Sequence, residues 1–183
     1  MNQHHLDRAL LSLEGLSVGD AFGQQFFMPH VAAEASRDNL PTPPWHYTDD
    51  TEMSLAVIQT LKEYGKIDQD GLATVFAARF DSEPGRGYGA GARRLLSEIS
   101  NGGDWKTLSR QMFGGGGSYG NGAAMRAAPI GAWFAGDVDK IIEQTTLSAE
   151  VTHTHPEAIV GAVAVALAAH WVCCRNEREA SVD

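Results

Sequence analysis

A chain of 183 residues, 43% of them hydrophobic, suffices for one domain with a packed core, and 23 acidic against 14 basic residues exclude a surface that tracks nucleic-acid phosphates. No Lys/Arg run exceeds the pair Arg93-Arg94, the adjacent Cys173 and Cys174 fit no zinc spacing, and the polar residues 1–8 lack the apolar stretch of a signal peptide. The expectation is a reduced, cytoplasmic setting without a membrane or a nucleic-acid backbone as partner.

From the N-terminus, Leu6, Leu10, Leu13 and Leu16 recur at helical spacing beside the small Gly15 and Gly19, predicting a first helix that ends near Asp20. Residues 23–47 hold Pro29, Pro41, Pro43 and Pro44, keep neither helical nor strand periodicity, and read as a long loop. A second helix starts at Asp49 or Asp50, aligns Met53, Val57, Leu61 and Tyr64, and stops at Gly65. Further helices are expected over 71–80, 93–99, 105–113 behind an Asp104 cap, 123–135 and 138–151. The last, 158–174, is apolar on nearly every side but short and interrupted by Gly161 and His170, which predicts a buried core helix and not a membrane span. With no alternating strand-type segment and no repeat, the fold class expected is all-α in a single domain.

Three segments carry chemistry. Tyr47-Thr48-Asp49-Asp50-Thr51-Glu52 puts a hydroxyl and two carboxylates at the opening of a helix, a donor set suited to magnesium; Asp49 and Glu52 also have the spacing of a capping box. Gly114 to Gly117, followed by Ser118, Tyr119, Gly120, Asn121 and Gly122, precedes another helix, so its backbone N–H groups can cradle a diphosphate; the alternative is a linker capped by Asn121. Thr152-His153-Thr154-His155-Pro156 joins two helices, and its histidines read as helix-end residues because no further zinc ligands accompany them.

In order and type, four blocks resemble the ADP-ribosylglycohydrolase family, the group that includes dinitrogenase-reductase-activating glycohydrolase. They are Gly15-Leu16-Ser17-Val18-Gly19-Asp20-Ala21-Phe22-Gly23, the Tyr47-to-Glu52 block above, 118–129 (SYGNGAAMRAAP), and Ala149-Glu150-Val151-Thr152-His153. The resemblance implies a compact multi-helix fold and a magnesium-dependent hydrolase, with manganese as the alternative ion. Its substrates would be ADP-ribosylated proteins or ADP-ribose-containing small molecules, cleaved at the glycosidic bond. It further implies Thr48, Asp49 and Asp50 as metal ligands and Asp49 or Asp50 as the proton acceptor. The loop of Gly117, Ser118, Tyr119, Gly120 and Asn121 would hold ADP-ribose, with His153 lining that pocket.

Two departures modify this expectation. Members usually carry an Asp-x-Asp-Thr block near the C-terminus and a glutamate four residues beyond the glycine matched by Gly23; here no such block follows His153, and Phe27 stands at the second place. Asp137-Val138-Asp139 has related spacing but precedes His153 and is followed by Lys140. The expectation is therefore one domain over 1–183 without its C-terminal helices, weak in magnesium binding on its own, with a homo-oligomer as one way to cover 158–174. A non-catalytic module for ADP-ribose or a related nucleotide is the alternative function, and a helical oligomerisation scaffold is the third.

Overall fold

The computed structural model describes residues 3–28, 31 and 39–180, with side chains up to Arg175, and among these it contains helices and no strand. Eight α-helices with defined bounds lie within the described residues, in order: α1 (Gln3–Gly23), α2 (Asp49–Tyr64), α3 (Gln69–Ser82), α4 (Ala90–Ser100), α5 (Trp105–Gln111), α6 (Ala128–Trp133), α7 (Val138–Glu150) and α8 (Pro156–Ala180). The part of the expected proline-rich loop at 29, 30 and 32–38 lies outside the described residues.

Local chemistry sets most boundaries. Gly65, at φ 69°, takes the left-handed conformation that ends α2, which few side chains tolerate. Asp68, Asp104 and Asp137 cap α3, α5 and α7 by accepting the N–H groups of Gly71, Thr107 and Lys140. That role accounts for Asp137 as a helix cap.

Four expectations are corrected. Helix α1 runs through Asp20 to Gly23. The expected 105–113 helix stops at Gln111, because Phe113 (φ 54°) and Gly114 (φ 70°) turn left-handed in the following 3-10 segment Met112–Gly115. The expected 123–135 helix divides into a 3-10 turn, Ala124–Arg126, and α6, because Pro129 has no N–H to continue the ladder and sits in the first turn of a new helix.

The fourth correction concerns α8. Only Ala158, Ala162 and Ala166 are buried among its described side chains, while Val160, Val165, Trp171 and Val172 are exposed, so it is not the all-round buried helix its composition predicts. By length and apolar content Pro156–Arg175 could cross a membrane, a test that core helices also pass. In this fold α8 packs on α6 and α7. The buried alanines form an i, i+4, i+8 stripe, and the seam is so close that a Cβ on Gly131 would lie 1.9 Å from the Ala166 carbonyl oxygen.

Helix α2 is central, in contact with α1, α3 and α6. Its Met53, Ala56, Val57, Ile58 and Leu61 join Leu6, Leu72, Phe76, Leu96, Ile130 and Ile141 in the core. The buried Glu52 is matched by Arg79 at 2.5 Å and by the Tyr47 hydroxyl, which donates at 3.1 Å. The N-terminus of α2 is thereby held at the edge of a rigid core.

Candidate active site

Thr48, the residue before α2, is extended and makes no side-chain cap. Capping is done from another helix. Asp20 of α1 accepts the Thr48 N–H (2.8 Å), the Thr51 N–H (3.2 Å) and the Thr51 hydroxyl (2.6 Å) on Oδ2, and the Thr48 hydroxyl (2.6 Å) on Oδ1. Glu52 faces Arg79 instead of returning to the start of its helix, so the capping-box alternative does not describe this turn.

Asp49 and Asp50 are thus released from capping. Burial, with Asp50 and then Asp20 close by, pushes the Asp49 carboxyl up to about 6. Burial, then the nearby Asp20 carboxylate, likewise raise Asp50. Two partly buried carboxylates with a third beside them are an electrostatic cost in the protein alone, and a cation relieves it. Among the described residues no group of three His, Cys, Asp or Glu side chains forms a ready-made metal site. The donor set present is two carboxylates and the Thr48 hydroxyl, hard oxygens that fit magnesium with water completing its shell.

These residues line a cavity of about 730 Å³ with Asp20, Gln24, Phe27, Asn121 and Met125 among its other walls. The structure therefore brings Thr48, Asp49 and Asp50 together with Asn121 across some seventy residues of sequence. Gly117, Ser118, Tyr119, Gly120 and His153 do not line this cavity. Ser118 accepts the His155 N–H at 3.4 Å through its carbonyl, and the exposed Tyr119 ring lies 5.7 Å from His155 and 6.4 Å from the exposed Phe113.

The glycine loop is packed down, not loosely strung. Gly117 has φ 73°, and a Cβ there would meet Thr154 Oγ1 at 2.2 Å; one on Gly122 would meet His153 Cε1 at 2.5 Å. Beneath it, the fully buried Arg126 donates to the carbonyls of Gly122 (2.5 Å) and Ser148 (2.7 Å) and to Thr152 Oγ1 (2.9 Å), with Phe76 under its guanidinium. Thr152 Oγ1 accepts from Arg126 and shares a 2.6 Å hydrogen bond with His153 Nδ1. Burial, then the Arg126 charge, lowers His153 to about 3. His153 supports the loop from below.

Comparison with known proteins decides the family: the ADP-ribosylglycohydrolase family model matches residues 1–183. The chain belongs to the ADP-ribosylglycohydrolase family. Chicken (Gallus gallus) ADP-ribosylhydrolase ARH3 is 39% identical over 143 residues, 76% of this chain and 37% of the relative. The human ARH3 is 38% identical over 127 residues, 68% and 35% respectively. Uncharacterized protein YegU of Escherichia coli K12 is 32% identical over 186 residues, 88% and 53%. This ADP-ribosylglycohydrolase chain thus matches between 35% and 53% of the length of these curated relatives.

Sequence reasoning placed Asp20 only at the end of the first helix and within a family block, and gave no role to Thr51, Arg126 and Phe113. Two signals were present. An aspartate in the last turn of a helix opposes the dipole there and needs another partner, and a lone arginine in the run Ala123-Ala124-Met125-Arg126-Ala127-Ala128 is too costly for a mere filler.

Proposed function

We propose that this chain provides the ADP-ribose-binding and first metal-ligand part of a magnesium-dependent hydrolase acting on the glycosidic bond of ADP-ribosylated proteins or small molecules. The observation that carries the reading is the transfer of helix capping to Asp20, which leaves Thr48, Asp49 and Asp50 to face the cavity they share with Asn121. Thr48, Asp49 and Asp50 would hold magnesium, which supplies charge to orient ribose hydroxyls and acidify water.

In the reaction a water oxygen bonds to the anomeric carbon of the ribose as the bond from that carbon to the modified group breaks, through a transition state with oxocarbenium character. Asp49 or Asp50 accepts the water proton, and an equivalent proton from solvent ends on the leaving group, so that one water is divided between the two products. Asn121 contributes an amide to the bound ribose, and the glycine backbone beside it meets the diphosphate. The exposed rings of Phe113 and Tyr119 offer flat surfaces for adenine. Binding energy from these remote groups holds the anomeric carbon against the carboxylates.

One observation favours the non-catalytic binding reading: Phe27 lines the cavity, 81% exposed, where the family usually has a glutamate. Calorimetry separates the two. A hydrolase part should bind ADP-ribose more tightly with magnesium than without, and Asp50→Ala should abolish that difference. Binding indifferent to magnesium supports the module reading, and no ADP-ribose binding under either condition overturns both.

A further inference from the structure

We infer that Asp20 is a positioning residue that turns the Thr48 hydroxyl oxygen toward the cation, and is not itself one of the ligands. The inference rests on the magnesium reading above and assigns Asp20 a part in it. Asp20 lines the same cavity as Asp49 and Asp50, so by location alone it would be taken for a third ligand.

Its hydrogen bonds argue otherwise. A carboxylate offers about four lone-pair directions. Four donors already occupy Asp20: the N–H groups of Thr48 and Thr51 and both their hydroxyls, at 2.6 to 3.2 Å. Three of them converge on Oδ2. A cation at Oδ2 would have to displace donors that the first turn of α2 has no other means of satisfying, since Thr48 provides no side-chain cap, and one at Oδ1 would lie against the Thr48 hydroxyl hydrogen that this oxygen holds.

Thr48 Oγ1 has one hydrogen and two neighbouring carboxylates, Asp20 Oδ1 at 2.6 Å and Asp50 Oδ2 at 3.2 Å. The shorter contact takes the hydrogen. The Thr48 oxygen then faces Asp50 Oδ2 lone pair to lone pair, an arrangement that repels unless a cation binds both. Adjacent oxygens around an octahedral magnesium lie about 3 Å apart, from metal–oxygen bonds of about 2.1 Å. The Thr48–Asp50 spacing of 3.2 Å is close to that. Asp20 thus fixes both the direction of the Thr48 hydrogen and the position of its oxygen.

The test is titration of the chain with Mn²⁺, a spectroscopically visible stand-in for Mg²⁺, followed by electron paramagnetic resonance in wild type, Asp20→Asn, Thr48→Val and the double variant. An outer residue acting through a ligand should weaken binding about 10- to 100-fold when lost. Asp20→Asn should do so, and in the Thr48→Val background it should cost almost nothing more, because the oxygen it aims is gone. Full affinity in Asp20→Asn, or losses that multiply in the double variant as for two independent ligands, overturns the inference. If Asp20→Asn does not fold, Thr51→Val decides: it removes one donor from Asp20 and frees a lone pair, so positioning predicts weaker Mn²⁺ binding, and equal or tighter binding overturns it. Absence of Mn²⁺ binding by the wild type overturns the magnesium reading itself, an outcome distinct from failure of the Asp20 assignment.

Discussion

Helix α2 opens on two aspartates, carries Thr51, Glu52, Ser54 and Thr60, and still buries nine of its sixteen residues, whereas α8, apolar enough to cross a membrane, buries only Ala158, Ala162 and Ala166 among its described side chains. The difference lies in surroundings. Helix α2 has α1, α3 and α6 against it, and its buried polar groups are matched locally: Glu52 by Arg79, Ser54 by the Asp50 carbonyl, Thr60 by the Ala56 carbonyl. Helix α8 meets α6 and α7 along a stripe of small residues and turns Val160, Val165, Val172 and Trp171 outward. Apolar content states what a helix can bury, and neighbours decide what it does bury.

The sharpest way to break this contrast is truncation in each helix. Leu61→Ala in α2, where the side chain is fully buried, should cost about 2 to 5 kcal/mol in urea unfolding, while Val172→Ala in α8 should stay within about 0.5 kcal/mol. Equal losses would mean that α8 is covered after all. On the α8 seam the order reverses, because small is essential there: Gly131→Ala forces a Cβ against the Ala166 carbonyl and should cost about 3 kcal/mol, read as a lowered urea midpoint.

Effects at the site are smaller and depend on pH. His153 sits at about 3 in the fold against an ordinary 6.5, so the unfolded chain takes up the proton first as pH falls. Its contribution is therefore undiminished above the unfolded value and declines by up to about 1.4 kcal/mol per pH unit below it, amounting to about 2 kcal/mol by pH 5. His153→Gln should flatten that part of the stability–pH curve; an unchanged slope would place the acid sensitivity elsewhere.

The smallest predicted effect has the opposite sign. Because the folded value of Asp49 is raised to about 6, its ionised form is disfavoured by folding at pH 7. Asp49→Asn should accordingly stabilise the cation-free protein, on the order of 1 kcal/mol after allowance for solvent screening, while weakening magnesium binding. Thermal melts with and without magnesium should show the two effects separately. A destabilised variant without cation would show that Asp49 has a structural partner.

The sequence by itself determined the all-α class, the helix start behind Asp104 and that near Val138, the stop at Gly65 and the order of the four family blocks, because helical periodicity, side-chain caps and left-handed glycines act over a few residues. It also marked Thr48, Asp49, Asp50 and Asn121. Only the tertiary structure decided that Asp20, 28 residues before Thr48, does the capping that spacing had assigned to Asp49 and Glu52. The fold likewise brought Asn121 to the cavity lined by Thr48, Asp49 and Asp50, and it left α8 with only Ala158, Ala162 and Ala166 buried among its described side chains. Those outcomes depend on which donors and which neighbours arrive from distant segments, and a local pattern states the need for a partner without identifying the residue that meets it.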